Sequence, residues 1–183
     1  MKTIYLLLTR SGTSVARIIH ALTADPYTHI SISFHESLEP TYSAARKNGE
    51  TLFPAGPCEE NFFRGYWRRH PLIPCALYAL QVSDDVYYKA KEEANKIMER
   101  SDDCSFNIIG LIFCRIHLPV NRRWHYFCSQ FVGEVLERSH AMTLPKAPPL
   151  MRPSDYADLP ELTCLFRGTL GDLMRRTATV ASF

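Results

Sequence analysis

Among the side chains able to do covalent chemistry, Cys128 has the most informative context. It sits near the start of Tyr126-Phe127-Cys128-Ser129-Gln130-Phe131-Val132-Gly133-Glu134-Val135-Leu136. Phe131, Val132, Val135 and Leu136 recur at helical spacing on the face that holds Cys128. Ser129, Gln130, Gly133, Glu134 and Glu137 mostly point away from that face. The spacing predicts a cysteine looking inward from the first turn of a packed helix. Such a position suits a nucleophile, because only the thiolate attacks. The unpaired N–H groups and partial positive charge of a helix N-terminus favour the thiolate. The same N–H groups can hold an oxyanion. A thiol nucleophile also needs a base within hydrogen-bond reach. Of the seven histidines, His29 fits best, at the start of an alternating segment and just after the Pro26-Tyr27-Thr28 turn. His35 shares its face but lies near a turn, where exposure is expected. His125 precedes the cysteine helix by about a turn and would have to fold back. His20, His70, His117 and His140 read as surface or loop residues.

The elements that would position this pair follow from periodicity. Ile4 to Thr9 is predicted as a buried strand. Ser11-Gly12-Thr13-Ser14 offers helix caps, and Val15, Ile18, Ile19 and Leu22 follow at helical spacing. Asp25-Pro26 ends that helix. His29 to Phe34 alternates, with Ile30, Ile32 and Phe34 on one face and His29, Ser31, Ser33 and His35 on the other. Glu36 to Pro40 reads as a turn and Thr41 to Arg46 as the returning strand of a hairpin. Lys47 to Trp67, rich in Gly, Pro and aromatics, reads as a long irregular excursion. Cys75 to Val82 is a further strand. Ser83 caps a helix from Asp84 to about Arg100, with Asp84 and Asp85 near its positive end. Asn107 to about Ile116 and Phe127 to Ser139 are two more helices. Pro145, Pro148 and Pro149 force an extended connector, and Pro153-Ser154-Asp155 starts a short turn or helical segment. Leu162 to Arg167 is the last strand, and the tail after Gly171 is weakly specified.

Bulk properties narrow the function classes. With 183 residues, the chain suits one domain spanning 1–183 with its core at about 4–168. A hydrophobic content of 46% and a charged content of 22% are those of an ordinary soluble protein. The net charge of +2 is too small to argue for a nucleic-acid partner. The one dense basic cluster, Arg64, Arg68 and Arg69, reads as a solvated loop, with anion binding as its alternative. The Ile4–Leu8 run is too short for a secretory core. Phe106 to Leu118 is too short to span a bilayer and carries Arg115 and His117. A cytoplasmic protein is therefore expected. None of the six cysteines has a CxxC partner, so neither a zinc site nor a redox pair is expected. Cys75 and Cys164 read as small buried hydrophobes.

The order strand, helix, Thr28-His29-Ile30-Ser31-Ile32 on a strand, then a distant Tyr126-Phe127-Cys128-Ser129-Gln130-Phe131-Val132 opening a helix resembles the circularly permuted NlpC/P60 papain-like group. That group includes bacterial YiiX-like and YaeF-like proteins and, more distantly, lecithin:retinol acyltransferase-like enzymes. The histidine precedes the cysteine, as in the permuted members. Leu150-Met151-Arg152-Pro153-Ser154-Asp155-Tyr156 resembles the Pro-(Gly/Ser)-Asp element that follows their cysteine helix. The resemblance covers about Ile4 to Gly168. It implies an α+β fold in which a small antiparallel sheet packs against helices, with Cys128 facing His29. It also implies a third polar group on the strand after the histidine strand. No acid occurs in Thr41 to Arg46, so Ser43 matches best, with Glu36 and His35 as turn-side alternatives. By analogy, Ser11 and Gly12 line the cleft, although a helix cap is their simpler reading.

These readings converge on a thiol hydrolase or acyltransferase acting on an amide, ester or thioester, in the manner of a cysteine peptidase or amidase. The catalytic set is Cys128, His29 and Ser43, with no cofactor and no metal. The expected substrate is a small molecule, a peptide or an acyl lipid, and the aromatic stretch Phe53 to Trp67 could cover either kind of site. The alternative is a binding module that keeps the fold without the activity.

Overall fold

The computed structural model describes residues 1–10, 25–46, 55–101, 105–106 and 125–180. The helices expected around Val15 to Leu22 and Asn107 to Ile116, together with Ser11, Gly12, His20 and His117, lie outside the described residues. The described chain forms a mixed α+β structure around a six-stranded antiparallel sheet. In chain order the strands are β1 (Lys2–Thr9), β2 (His29–Ser33), β3 (Thr41–Arg46), β4 (Ala55–Glu60), β5 (Pro74–Val82) and, after two short strands β6 (Ser105–Phe106) and β7 (His125–Tyr126), β8 (Thr163–Thr169). The sheet order is β4-β3-β2-β1-β5-β8, while β6 and β7 pair in parallel apart from it. The helices are α1 (Gly65–Arg69), α2 (Asp84–Met98), α3 (Cys128–Arg138) and α4 (Leu170–Val180), with 3-10 turns at Pro148–Leu150 and Pro153–Asp158.

Side chains alternate across the central strands, and both faces of the sheet are covered. Ile4, Leu6 and Leu8 of β1, Ile30 and Ile32 of β2, and Ala76, Tyr78 and Leu80 of β5 pack with Tyr87, Ala90, Ala94 and Ile97 of α2 and Phe131, Val132, Val135 and Leu136 of α3. Leu7, Cys75 and Leu77 face the other way. They pack with Leu38, Phe62, Trp67 and Ile73 and with Leu170 and Leu173 of α4. This second cover alters the expected amphipathic strand. His29, Ser31 and Ser33 form the polar face of β2, yet all three are buried. α3 is likewise enclosed: Ser129, Gln130, Gly133 and Glu134 are buried along with the apolar stripe, because the chain after the helix wraps its polar side.

The hairpin of β2 and β3 forms with Ile32 opposite Tyr42 and Ser33 opposite Thr41. Ser83 caps α2 by accepting from the Val86 N–H at 3.4 Å. Three expectations are corrected. The described part of the Lys47–Trp67 stretch is ordered: β4 pairs with β3 from Thr41–Glu60 to Arg46–Ala55, and α1 follows. Ala-Gly-Pro-Cys-Glu-Glu has little strand propensity, so pairing with a neighbour decides the outcome. Pro57 is tolerated because β4 is an edge strand. The stretch after Gly171 is helical, with Leu170, Leu173 and Thr177 buried at helical spacing. Cys164 is exposed, since β8 is the opposite edge of the sheet and shows much of its length to solvent. Among the described residues no helix is long and apolar enough to cross a membrane.

Candidate active site

Cys128 is the first residue of α3. Phe127 precedes it in extended conformation and no side chain caps the helix, so the first-turn N–H groups are not taken by a capping side chain. Two buried hydrogen bonds fix this turn. Ser129 Oγ donates to the Met151 carbonyl at 2.6 Å, and Tyr156 Oη donates to the Ser129 carbonyl at 2.7 Å. Gly133 permits the tyrosine's approach, because a Cβ there would stand 2.8 Å from Tyr156 Oη. Burial pushes the Tyr156 hydroxyl well above its ordinary range, and the nearby Cys128 thiol adds to the shift. It therefore remains a donor.

The Pro153–Asp158 turn ties the helix to the strand that carries His29. Ser154 Oγ donates to the Tyr27 carbonyl at 3.2 Å and receives the Tyr27 N–H at 3.3 Å. One short turn therefore holds the backbone just before His29 and, through Tyr156, the backbone just after Cys128. The turn is itself braced. Asp155 accepts the Arg152 N–H at 2.8 Å, and the Arg152 guanidinium bridges Asp155 and Asp25. Asp155 is held below the usual carboxylate range: burial opposes this, but the Arg152 and Lys146 donors outweigh it.

His29 is the first residue of β2, and α3 packs across β2 and β3. Cys128 lies near the imidazole there, close enough to raise the ring's basicity. On its other side His29 Nε2 lies 2.8 Å from Glu60 Oε2. Glu60 ends β4 opposite Thr41, which is opposite Ser33. Its side chain therefore emerges on the sheet face that carries His29 and Ser31. Ser31 Oγ donates to the same Glu60 oxygen at 2.5 Å and stands 3.2 Å from His29 Nε2. Trp67 of α1 stacks on the imidazole, with ring centroids 5.8 Å apart and planes inclined by 26°. Phe62 packs against Trp67 in turn.

This setting favours a charged imidazole. Burial alone would lower the His29 pKa. The charge of Glu60, the neighbouring Cys128 and the hydrogen bond that the ring donates to Glu60 outweigh it and raise the pKa from 6.5 to about 10. The indole face also favours a cation within about 6 Å. Cys128 is 7% exposed and His29 is 9% exposed, so the charges interact largely screened from water.

The expected pair, Cys128 and His29, is thus brought together. The structure does not bring the Ser43 hydroxyl to the imidazole. That hydroxyl donates to the Ile30 carbonyl at 2.7 Å, a bond within the sheet. Its place beside the histidine is taken by Glu60, because a carboxylate on the next strand over reaches farther than a serine. His35 and Glu36 are exposed on the turn, and Glu36 lines a separate cavity of about 290 Å³ with Tyr5, Leu77 and Arg176. Glu60 escaped notice because its segment does not read as a strand. The available signal was the pair Glu59-Glu60 beside Phe62, an acid entering an aromatic patch. Arg64, Arg68 and Arg69 are exposed around α1, whereas Trp67 turns inward. Among the described residues no cluster of His, Cys, Asp or Glu could hold a metal ion. No protein-family model and no curated protein matches this chain.

Proposed function

We propose that this chain is a cysteine hydrolase or acyltransferase with Cys128 as nucleophile, His29 as acid and base, and Glu60 as the group that orients and charges the imidazole. The observation that carries the reading is a buried His29 held 2.8 Å from the Glu60 carboxylate, with the thiol at the start of α3 as its neighbour. A structural cysteine needs neither partner, and a buried carboxylate is retained at a cost unless it is paired. We also read the arrangement as a circularly permuted papain-like fold, with histidine, acid and cysteine in that chain order.

Glu60 engages Nε2, which leaves Nδ1 for the thiol. In the resting pair the thiol proton already resides on His29, whose imidazolium lies beside the Cys128 sulfur. Cys128 Sγ attacks the carbonyl carbon of an amide, ester or thioester. The first-turn N–H groups receive the developing oxyanion. The carbon–heteroatom bond breaks as His29 gives its proton to the leaving group. Water or a second nucleophile then attacks the acyl-enzyme, delivers its proton to His29 and releases Cys128. The Phe62–Trp67 pair keeps solvent from the charged ring. We place this activity in the cytoplasm, on a peptide, small-molecule or acyl-lipid substrate. The alternative is a binding module that keeps the fold without the activity; the carboxylate of Glu60 beside His29 favours the catalytic reading.

Thiol labelling tests the proposal. Iodoacetamide below pH 7 is expected to modify Cys128 well ahead of the exposed Cys164, and His29→Ala is expected to abolish that preference. Labelling that follows exposure alone, with Cys164 first, would reject the catalytic reading.

A further inference from the structure

We propose that Ser31 is a positioning residue of this site, whose hydroxyl clamps one Glu60 oxygen onto His29 Nε2 and so keeps the imidazole charged and turned toward Cys128. This rests on the reading of Cys128 and His29 given above. Ser31 is fully buried, two residues beyond His29 on the same face of β2. Its hydroxyl, Glu60 Oε2 and His29 Nε2 form a closed triangle with sides of 2.5, 2.8 and 3.2 Å. A single carboxylate oxygen thereby takes both donors.

The need for a clamp follows from the route Glu60 takes. It comes from an edge strand two places removed from β2, on a side chain with several rotatable bonds. A single bond to a ring that must itself gain and lose a proton would let that carboxylate swing. Ser31 is short and sits on an interior strand, so its oxygen hardly moves with the proton. Ser33, the next residue on the same face, shows the contrast: its hydroxyl donates to the Pro40 carbonyl at 2.8 Å and serves the hairpin turn. Among the described residues, the charged or titratable groups against His29 are Glu60 from β4 and Cys128 from α3. Trp67 from α1 and Thr9, its register partner on β1, carry no charge. The clamp therefore acts on the one carboxylate that sets the ring's charge.

Two near-isosteric variants of the full chain separate this role from packing. Ser31→Thr keeps the hydroxyl and Ser31→Val removes it, while Ser31→Ala supplies a smaller third case. The readings are the NMR titration midpoint of the His29 ring and the iodoacetamide rate at Cys128, with thermal unfolding as the check on folding. Ser31→Val and Ser31→Ala are expected to lower the midpoint by about one pH unit and, because the ring is no longer held toward the thiol, to slow alkylation at pH 6 about tenfold, while Ser31→Thr stays near wild type. A folded Ser31→Ala with the wild-type midpoint and rate would overturn the role. So would threonine and valine variants that behave alike. His29→Ala serves as the control: loss of Cys128 selectivity there, with no effect of Ser31→Ala, removes the clamp and leaves the dyad standing. Wild-type protein without Cys128 selectivity removes the dyad itself.

Discussion

Replacing Glu60 by glutamine keeps the shape of the side chain and removes its charge, which isolates what the carboxylate does for His29. The raised pKa of about 10, against 6.5 for a free histidine, corresponds to a preference of about 5 kcal/mol for the imidazolium form. Burial opposes that preference, so the pairing with Glu60 and Cys128 supplies all of it and offsets the desolvation as well. In Glu60→Gln the desolvation persists without its counter-charge. The His29 midpoint is expected to fall to 6.5 or below. Folding should lose about 3 kcal/mol near neutral pH, the scale for breaking a buried pair. Cys128 alkylation at pH 7 should drop about tenfold, since a ring with a midpoint at or below 6.5 is then mostly neutral and no longer holds the thiolate. The measurements are a ¹⁵N-histidine NMR titration, urea unfolding at pH 7 and a pH series of iodoacetamide rates. A folded Glu60→Gln protein whose His29 midpoint stays near 10, or whose alkylation profile matches wild type, would refute the assignment of Glu60.

Three further expectations follow from the same structure. Because His29 has a higher pKa folded than unfolded, its contribution to stability is complete below about pH 6.5 and is lost as pH rises toward 10. Urea unfolding between these limits should show up to about 1.4 kcal/mol of loss per pH unit, and a slope unchanged in His29→Gln would contradict it. Ser43→Ala should cost about 1 kcal/mol for its sheet hydrogen bond and leave the His29 titration and Cys128 labelling as in wild type, whereas a shifted titration would return Ser43 to the site. Gly133→Ala drives a methyl against Tyr156 Oη. It should destabilise by about 1–3 kcal/mol, and adding Tyr156→Phe should recover part of that loss in a double-mutant cycle. Strict additivity of the two would show that the tyrosine hydroxyl is not what excludes a side chain at 133.

The placement of Cys128 and His29, the proposed nucleophile and base, was legible in the sequence because each rests on a local pattern. Apolar residues at helical spacing after Cys128 are enough to put it in the first turn of a packed helix, and the alternation after His29 is enough to put it on one face of a strand. Ser83 before Asp84 and Asp85 likewise marks the start of α2 without any tertiary information. Whether His29 is buried was not legible. That depends on Phe62, Trp67 and α4 covering a face whose own residues, His29, Ser31 and Ser33, look solvent-facing in isolation. Glu60 was hidden for a related reason. Ala55–Glu60 has no strand signal of its own, and becomes a strand only by pairing with Thr41–Arg46. The link between Ser154 and Tyr27 joins residues 127 positions apart, which no local spacing can convey. The sequence by itself determined which two side chains could do the chemistry, since helix and strand periods are short-range properties of the chain. Tertiary structure brought Glu60 to His29 and favours the charged form of that ring. A pKa is set by desolvation and by the nearest opposite charge, and both exist only once distant strands have come together.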